Sequence, residues 1–244
     1  MVKDKKIIIA GPCAIESKKQ VFSIAKEIHS NINFFRCGVW KARTNPYSFS
    51  GLGLKALDWA QEIQKKFNIK CAVEVGSVEH VQLALKHEIK TMWLGARTTC
   101  NPFIVEQISS YVKNKEVEIW IKNPIFADMK LWFGTIERFK NKGVSNIKVI
   151  HRGFFSESKE KYRNPPRWDL VVEFKKKYPE IPLICDPSHI SGNKNLIREV
   201  ASQAVKYKVS GFMVEVHENP ENALSDSMQQ LDLIEFRKFL SNLK

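Results

Sequence analysis

The chain has 244 residues, 43% hydrophobic and 27% charged, with a formal net charge of +13 and five cysteines. That length holds an ample core for one α/β domain, and no run approaches the ~20 apolar residues of a membrane span. The odd cysteine count and the lack of any C-x-x-C pair argue against a disulfide framework and a cysteine-rich structural zinc site.

The N-terminus, MVKDKKIIIAGPC, enters a strand almost at once. Its apolar part is too short for a signal h-region, so a cytoplasmic protein is expected. Short apolar runs then predict strands over 6–10, 34–40, 71–75, 91–95, 118–122, 146–151, 182–186 and 211–217. Such runs suit a parallel sheet covered on both faces. Between them, helices are predicted over about 18–29, 53–67, 78–87, 102–113, 128–141, 168–177, 193–207 and 228–241. Ser77 before Val78 and the pair Asn101-Pro102 read as helix starts, and Gly143 as a stop.

Eight strands strictly alternating with eight helices predict a (β/α)8 TIM barrel, a single domain spanning 1–244. A doubly wound sheet is the alternative. Its glycine fingerprint is missing, because Gly51-Leu52-Gly53 follows a loop and lacks the third glycine. Cys71 and Cys185 fall in strands and read as core residues. The longest irregular stretch, about 152–167, follows strand six and suits a lid or a subunit contact.

The positive charge invites a nucleic-acid reading, but the lysines are scattered along many predicted helices (Lys18, Lys65, Lys86, Lys113, Lys140, Lys176, Lys206). No tract concentrates them, so a solvated basic surface is expected, with no nucleic-acid and no membrane partner. Such a field still favours anionic substrates.

In a barrel, chemistry gathers at the C-terminal rim. Ionisable residues recur there: Arg36 and Lys41, Glu74, Arg97, Lys122, Arg152, Asp186 and His189, Glu215 and His217. Any one alone reads as a salt bridge or a solvated rim residue. Arg36, Lys41, Arg97, Lys122 and Arg152 together form a ring of one sign, which is unfavourable unless an anion fills it, and Arg forks and Lys ammoniums suit phosphate and carboxylate. Cys13, His189, Glu215 and Asp226 end up at the same rim. Singly, Cys13 reads equally as a core thiol and His189 as a structural histidine. As a set, their mixed N/O/S donors suit Mn²⁺, Fe²⁺, Co²⁺ or Zn²⁺ rather than Mg²⁺ or Ca²⁺.

Seven motifs, in order, are GPCAIES at 11–17, KARTNP at 41–46, GARTT at 95–99, IKNP at 121–124, HRGF at 151–154, DPSHISG at 186–192 and VEVHENPENALSD at 214–226. With them the chain resembles the 3-deoxy-arabino-heptulosonate-7-phosphate (DAHP) synthase family, and in particular the variants often fused to chorismate mutase. The resemblance implies condensation of phosphoenolpyruvate with erythrose 4-phosphate, the entry step of the shikimate pathway to aromatic amino acids. It places metal ligands at Cys13, His189, Glu215 and Asp226. Phosphoenolpyruvate contacts fall on Arg36, Lys41, Arg97, Lys122 and Arg152, with Glu74 nearby, and sugar-phosphate contacts on Arg43 and Thr44. Lys41 is the candidate general acid, and His189 or Glu74 the group assisting water. A sister family on the same barrel, 3-deoxy-manno-octulosonate-8-phosphate synthase, takes arabinose 5-phosphate and usually shows a Lys-Ala-Asn-Arg-Ser pattern after strand two. Here Arg43-Thr44 favours the four-carbon sugar, although Ala42 stands where DAHP synthases commonly carry proline. The resemblance further leads us to expect a homo-oligomer and a separate chorismate mutase as partner; with strand one beginning near Lys6 and the eighth helix running to the end of the chain, no regulatory or mutase domain is expected within it.

Overall fold

A computed structural model describes residues 6–158 and 161–243. The strands are β1 (Ile7–Gly11), β2 (Phe34–Cys37), β3 (Lys70–Val75), β4 (Thr91–Leu94), β5 (Glu118–Lys122), β6 (Ile147–His151), β7 (Leu183–Cys185) and β8 (Gly211–Glu215). They run parallel, pair in sequence order and close through β1 and β8 into the expected barrel. The helices are α1 (Lys18–Ile28), α2 (Leu54–Phe67), α3 (Val78–Lys86), α4 (Ala96–Thr99), α5 (Pro102–Tyr111), α6 (Met129–Asn141), α7 (Trp168–Lys177), α8 (Pro187–Ser191), α9 (Ile197–Lys206) and α10 (Leu233–Ser241).

Local chemistry starts these helices where the sequence suggests. Ser77 Oγ accepts from His80 N–H at the head of α3, and Asn101 Oδ1 accepts from Phe103 and Ile104 N–H ahead of Pro102. Each such cap satisfies an otherwise orphaned donor and stabilises its helix by ~1 kcal/mol.

Side chains alternate across every strand. One phase packs outward against the helices and includes Phe35, Cys71, Val73, Met92, Ile121 and Cys185, so Cys71 and Cys185 are core residues as expected, and Cys37 of β2 joins them. The other phase fills the barrel. Ile9, Phe34, Ala72, Trp93, Trp120, Ile150, Ile184 and Met213 form a separate buried plug. Burying each indole stabilises the fold by about 4 kcal/mol of transfer free energy. Two residues further along, the same inward phase carries Arg36, Glu74, Lys122, Asp186 and Glu215. Below the plug, Glu118 pairs with Lys148 and accepts from Trp120 Nε1 at 2.7 Å. The barrel is thus an apolar plug with a charged layer at each end, and the upper layer is the one at the C-terminal rim.

Several boundaries differ from the sequence reading. Strand two stops at Cys37 rather than 40, because Gly38 turns into contact with the segment after β1. A Cβ on Gly38 would lie 1.8 Å from Cys13 O, so only glycine admits this approach. The last strand ends at Glu215, with Val216 making a single bridge to Leu231. That bridge holds the chain extended before Leu233, so the last helix starts there and not at 228; Asp232 and Glu235 cap it reciprocally. The helix expected at 193–207 divides into a 3₁₀ turn, Lys194–Leu196, and α9. The short helices α4 and α8 were not foreseen. Each follows a strand directly, and they carry Arg97 and His189.

Candidate active site

Four loops bring the donor set together. Gly38 and the bond from Ile15 N–H to Gly38 O (2.9 Å) lock the segment after β1 beside that after β2. This sets Lys41 Nζ 3.0 Å from Cys13 Sγ and 3.1 Å from Cys13 O. Cys13 Sγ lies 3.3 Å from Asp226 Oδ2. Donor atoms of Cys13, Glu215 and Asp226 all fall within 4.8 Å of one another. The structure therefore gathers three of the four expected ligands tightly. His189, the fourth, stands beside them with Nε2 3.8 Å from Glu215 Oε1.

The residues fit a divalent ion. His189 Nδ1 lies 2.8 Å from Asp186 Oδ2, and α8 is capped by Asp186 Oδ1 accepting from His189 N–H at 3.1 Å. Nδ1 has no aligned hydrogen-bond acceptor, so the contact is one of charge: the Asp186 carboxylate beside Nδ1 favours a proton there and leaves Nε2 bare toward the cluster. Burial lowers the His189 pKa, favouring the neutral, ligating form. Burial, with Glu215 and Asp226 nearby, pushes the Cys13 thiol up to about 12 against the pull of Lys41 and Arg36. Without a cation the sulfur keeps its proton; a bound divalent ion deprotonates such a thiol outright. Burial disfavours ionising Glu215, but His189 and Arg36 hold its carboxyl below the usual range. Asp226 behaves likewise, its burial outweighed by His189, Lys41 and Arg163.

The cation ring surrounds this cluster. Arg36 is 1% exposed and bonds Glu215 Oε1 through Nη2 at 2.9 Å, while its Nε and Nη1 are buried with no hydrogen-bond acceptor. Lys122 Nζ meets Asp186 Oδ2 at 3.0 Å. Asn123 Oδ1 accepts from Arg152 N–H at 2.7 Å, and Asn123 Nδ2 donates to Gly153 O at 2.7 Å, so the Asn of IKNP shapes the HRGF turn. Burial brings the Arg152 guanidinium down to about 10; Asp186 resists this, while Arg163 and Arg97 add like charge. Positive groups held this close, still charged at neutral pH, are a receptor for an anion.

A cavity of about 420 Å³ opens beside them, lined by Trp40, Lys41, Glu74, His80, Arg97 and Thr98. Glu74 Oε2 accepts from Trp93 Nε1 at 3.1 Å. A Cβ at residue 95 would fall 2.1 Å from Glu74 Oε1, so Gly95 makes room for this carboxylate. Arg97 Nη2 donates to Thr44 Oγ1 at 3.0 Å, and Arg43 Nε to Phe49 O at 2.8 Å, which ties the KARTNP loop to the α4 turn and to itself. Of the expected contact residues, Lys41, Glu74 and Arg97 line this cavity, and Arg36, Arg43, Thr44, Lys122 and Arg152 are not among its lining residues.

Residues 2–244 match the model of the DAHP synthetase I family. The chain belongs to that family. Among its relatives, a phospho-2-dehydro-3-deoxyheptonate aldolase of Thermotoga maritima is 29% identical over 239 residues, covering 97% of this chain and 68% of that protein. A 2-dehydro-3-deoxyphosphooctonate aldolase of Azoarcus sp. (strain BH72) is 26% identical over 264 residues, covering 97% of this chain and 89% of its own. The crystal structure of a Thermotoga maritima phospho-2-dehydro-3-deoxyheptonate aldolase (DAHP synthase) superposes with a TM-score of 0.87 at 26% identity, covering 98% of this chain and 68% of that one. A truncated form of the 3-deoxy-D-arabino-heptulosonate 7-phosphate synthase of the same organism gives 0.84 at 24% identity, covering 98% and 85%, and supports the fold alone.

The sequence reading passed over four residues of this DAHP synthetase rim: Arg163, Ser188, Gln229 and Gln230. Ser188 Oγ accepts from Glu215 N–H at 3.1 Å, and the other three touch the donor cluster. Residues in rim loops and one-turn helices follow no strand or helix periodicity that would expose them. A Gln-Gln pair four residues beyond Ser225 was the one available signal.

Proposed function

We propose that this chain is a DAHP synthase, condensing phosphoenolpyruvate with D-erythrose 4-phosphate and water to give DAHP and phosphate. One observation carries the reading: a Cys/Glu/Asp donor cluster with His189 beside it shares one rim with a ring of cations, of which Arg36 and Lys122 are buried, in a member of the DAHP synthetase I family. The two substrates bring about −4 to −5 of charge near neutral pH, and Arg36, Lys41, Arg43, Arg97, Lys122 and Arg152 are available to receive it.

Arg97, Lys122 and Arg152 hold the phosphate of phosphoenolpyruvate, and Arg36 and Lys41 act at its carboxylate. Arg43 and Thr44 hold the phosphate of erythrose 4-phosphate. Fixing both reactants lowers the entropic part of the barrier. Bound by Cys13, His189, Glu215 and Asp226, a divalent Mn, Fe, Co or Zn ion supplies Lewis-acid polarisation of the aldehyde. C3 of phosphoenolpyruvate bonds to the aldehyde carbon, and Lys41 protonates the oxygen that gains charge. Water adds at C2, losing a proton to a base. The C2–O bond to phosphate then breaks as the new C2 hydroxyl becomes the carbonyl, and phosphate leaves with the bridging oxygen and that hydroxyl's proton. Burial lowers the Lys41 pKa, but Cys13, Glu215 and Glu74 outweigh it, so Lys41 enters protonated, as a donor must. Of the two candidate bases, Glu74 is favoured, because His189 Nδ1 faces Asp186 and Nε2 faces the donor cluster.

The sister reaction with arabinose 5-phosphate is the second reading, favoured by the matched phosphooctonate aldolase and opposed by Arg43-Thr44. A phosphate-release assay with phosphoenolpyruvate plus each aldose phosphate, with and without chelator, separates them. Chelator-sensitive release with the four-carbon sugar is expected; release with arabinose 5-phosphate alone, or with neither, overturns the assignment. The proposal includes a cytoplasmic location, self-association and a separate chorismate mutase partner. Among the described residues no helix is long and apolar enough to cross a membrane. Phe126 and Phe155, exposed rings in edge contact at 5.6 Å, supply apolar surface for association, which light scattering tests.

A further inference from the structure

We propose that Gln229 and Gln230 form a paired brace that positions the metal donors and thereby sets metal affinity; the inference rests on the metal centre of the proposed function. Both side chains are buried, at 1% and 0% exposure. Gln229 Nε2 donates to Glu215 Oε2 at 2.7 Å, and its Oε1 accepts from Arg163 Nη1 at 2.9 Å. Gln230 Oε1 accepts from Cys13 N–H at 3.0 Å, and its Nε2 donates to Ser225 O at 2.9 Å. One amide therefore fixes the Glu215 carboxylate, and the other ties the Cys13 backbone to the residue before Asp226.

Asp226 shows why a brace is needed. It sits at φ +47°, ψ +39°, a left-handed conformation that costs a β-carbon residue about 1–2 kcal/mol. Gln229 N–H bonds back to Asp226 O at 3.2 Å, closing the turn, and Arg163 Nη1 lies 3.2 Å from Asp226 Oδ1. Neutral amides suit the task. Each offers a donor and an acceptor on one head, so Gln229 spans Glu215 and Arg163, and Gln230 spans Cys13 N–H and Ser225 O, without repelling an incoming cation, as Lys would, or competing for it, as Glu would. Glu215 Oε1 is already bonded to Arg36, so Gln229 fixes the remaining oxygen. Neither glutamine contacts Arg97, Lys122 or Arg152, which makes them positioning residues rather than substrate contacts.

The test uses Co²⁺ as the probe, with Gln229→Met and Gln230→Met. Affinity is read by competition with a chromophoric chelator, the sulfur-to-cobalt charge-transfer band by absorbance, and phosphoenolpyruvate binding to metal-free protein by calorimetry. Loss of such supporting contacts typically weakens metal binding by about 10- to 100-fold. That loss is expected in both variants, with phosphoenolpyruvate affinity kept within about twofold. Gln230→Met should also shift the charge-transfer band, because it loosens Cys13, while Gln229→Met leaves the band in place. Gln229→Asn and Gln230→Asn, each one methylene short of its partners, replace any Met variant that does not fold, with the same expected losses. Unchanged cobalt affinity overturns the brace, as does an equal fall in phosphoenolpyruvate and cobalt affinity, the mark of general structural damage. If the unaltered chain binds no cobalt, the metal centre falls and the brace with it.

Discussion

Lys41 Nζ rests 3.0 Å from Cys13 Sγ, so the proposed proton donor touches the sulfur of the proposed metal site. The contact brings the acid of the mechanism, which lines the cavity, directly against the donor cluster. Replacing Lys41 by Met keeps the stem and removes the ammonium. Turnover should fall by about 10²- to 10⁴-fold, the usual span for a lost general acid. Bound metal, read by elemental analysis of the dialysed protein, should stay. Normal phosphate release by Lys41→Met would remove this residue from the mechanism.

Metal binding should release a proton from Cys13. Burial and the neighbouring carboxylates raise its thiol to about 12, so it is protonated across neutral pH. Ligation removes that proton, and apparent affinity should rise about tenfold per pH unit between about pH 6.5 and 8.5. Chelator competition over that range reads the slope. Cys13→Ser should bind more weakly; a flat profile in the unaltered chain would contradict thiolate ligation.

Asp186 joins two functional groups, Lys122 Nζ at 3.0 Å and His189 Nδ1 at 2.8 Å, and is fully buried. Asp186→Asn leaves Lys122 as a buried cation without its partner. Breaking a buried pair on one side costs about 3–5 kcal/mol, to be read by urea unfolding of the metal-free protein. Metal affinity should drop as well, since the imidazole loses the carboxylate that fixes its tautomer. Stability within about 1 kcal/mol of the parent would show that the pair carries no such role.

Acid should destabilise the fold through His151. This ring is buried against Phe154 and Trp168, and burial brings its pKa from 6.5 down to about 3. Below 6.5 the unfolded chain takes up a proton that the folded chain refuses until about pH 3. Stability is therefore full above the unfolded value and is lost as pH falls, by up to about 1.4 kcal/mol per unit. From pH 7 to 5, His151→Phe should lose about 2 kcal/mol less than the parent. Equal losses in urea titrations at the two pH values would mean that the folded imidazole protonates freely.

The sequence by itself determined the barrel and the identity of the chemistry-bearing groups. Eight apolar runs alternating with capped, amphipathic segments leave few other ways to bury both faces of a parallel sheet. A charge at a strand end is costly in a core, so Arg36, Glu74, Lys122 and Glu215 are conspicuous from the sequence alone. Only the tertiary structure decided the rest. Which strand-end charges face inward depends on the two-residue phase set by the plug of Phe34, Trp93, Trp120 and Met213. The pairings Arg36–Glu215, Lys122–Asp186 and Lys41–Cys13 join residues 179, 64 and 28 positions apart, and no local pattern specifies them. Gln229 and Gln230 are the clearest case. A glutamine in a loop reads as a solvated residue until the chain folds the left-handed Asp226 turn over β1 and β8 and buries both amides against the donors. Hydrogen bonding and burial at the rim are products of barrel closure, and closure is a property of the whole chain.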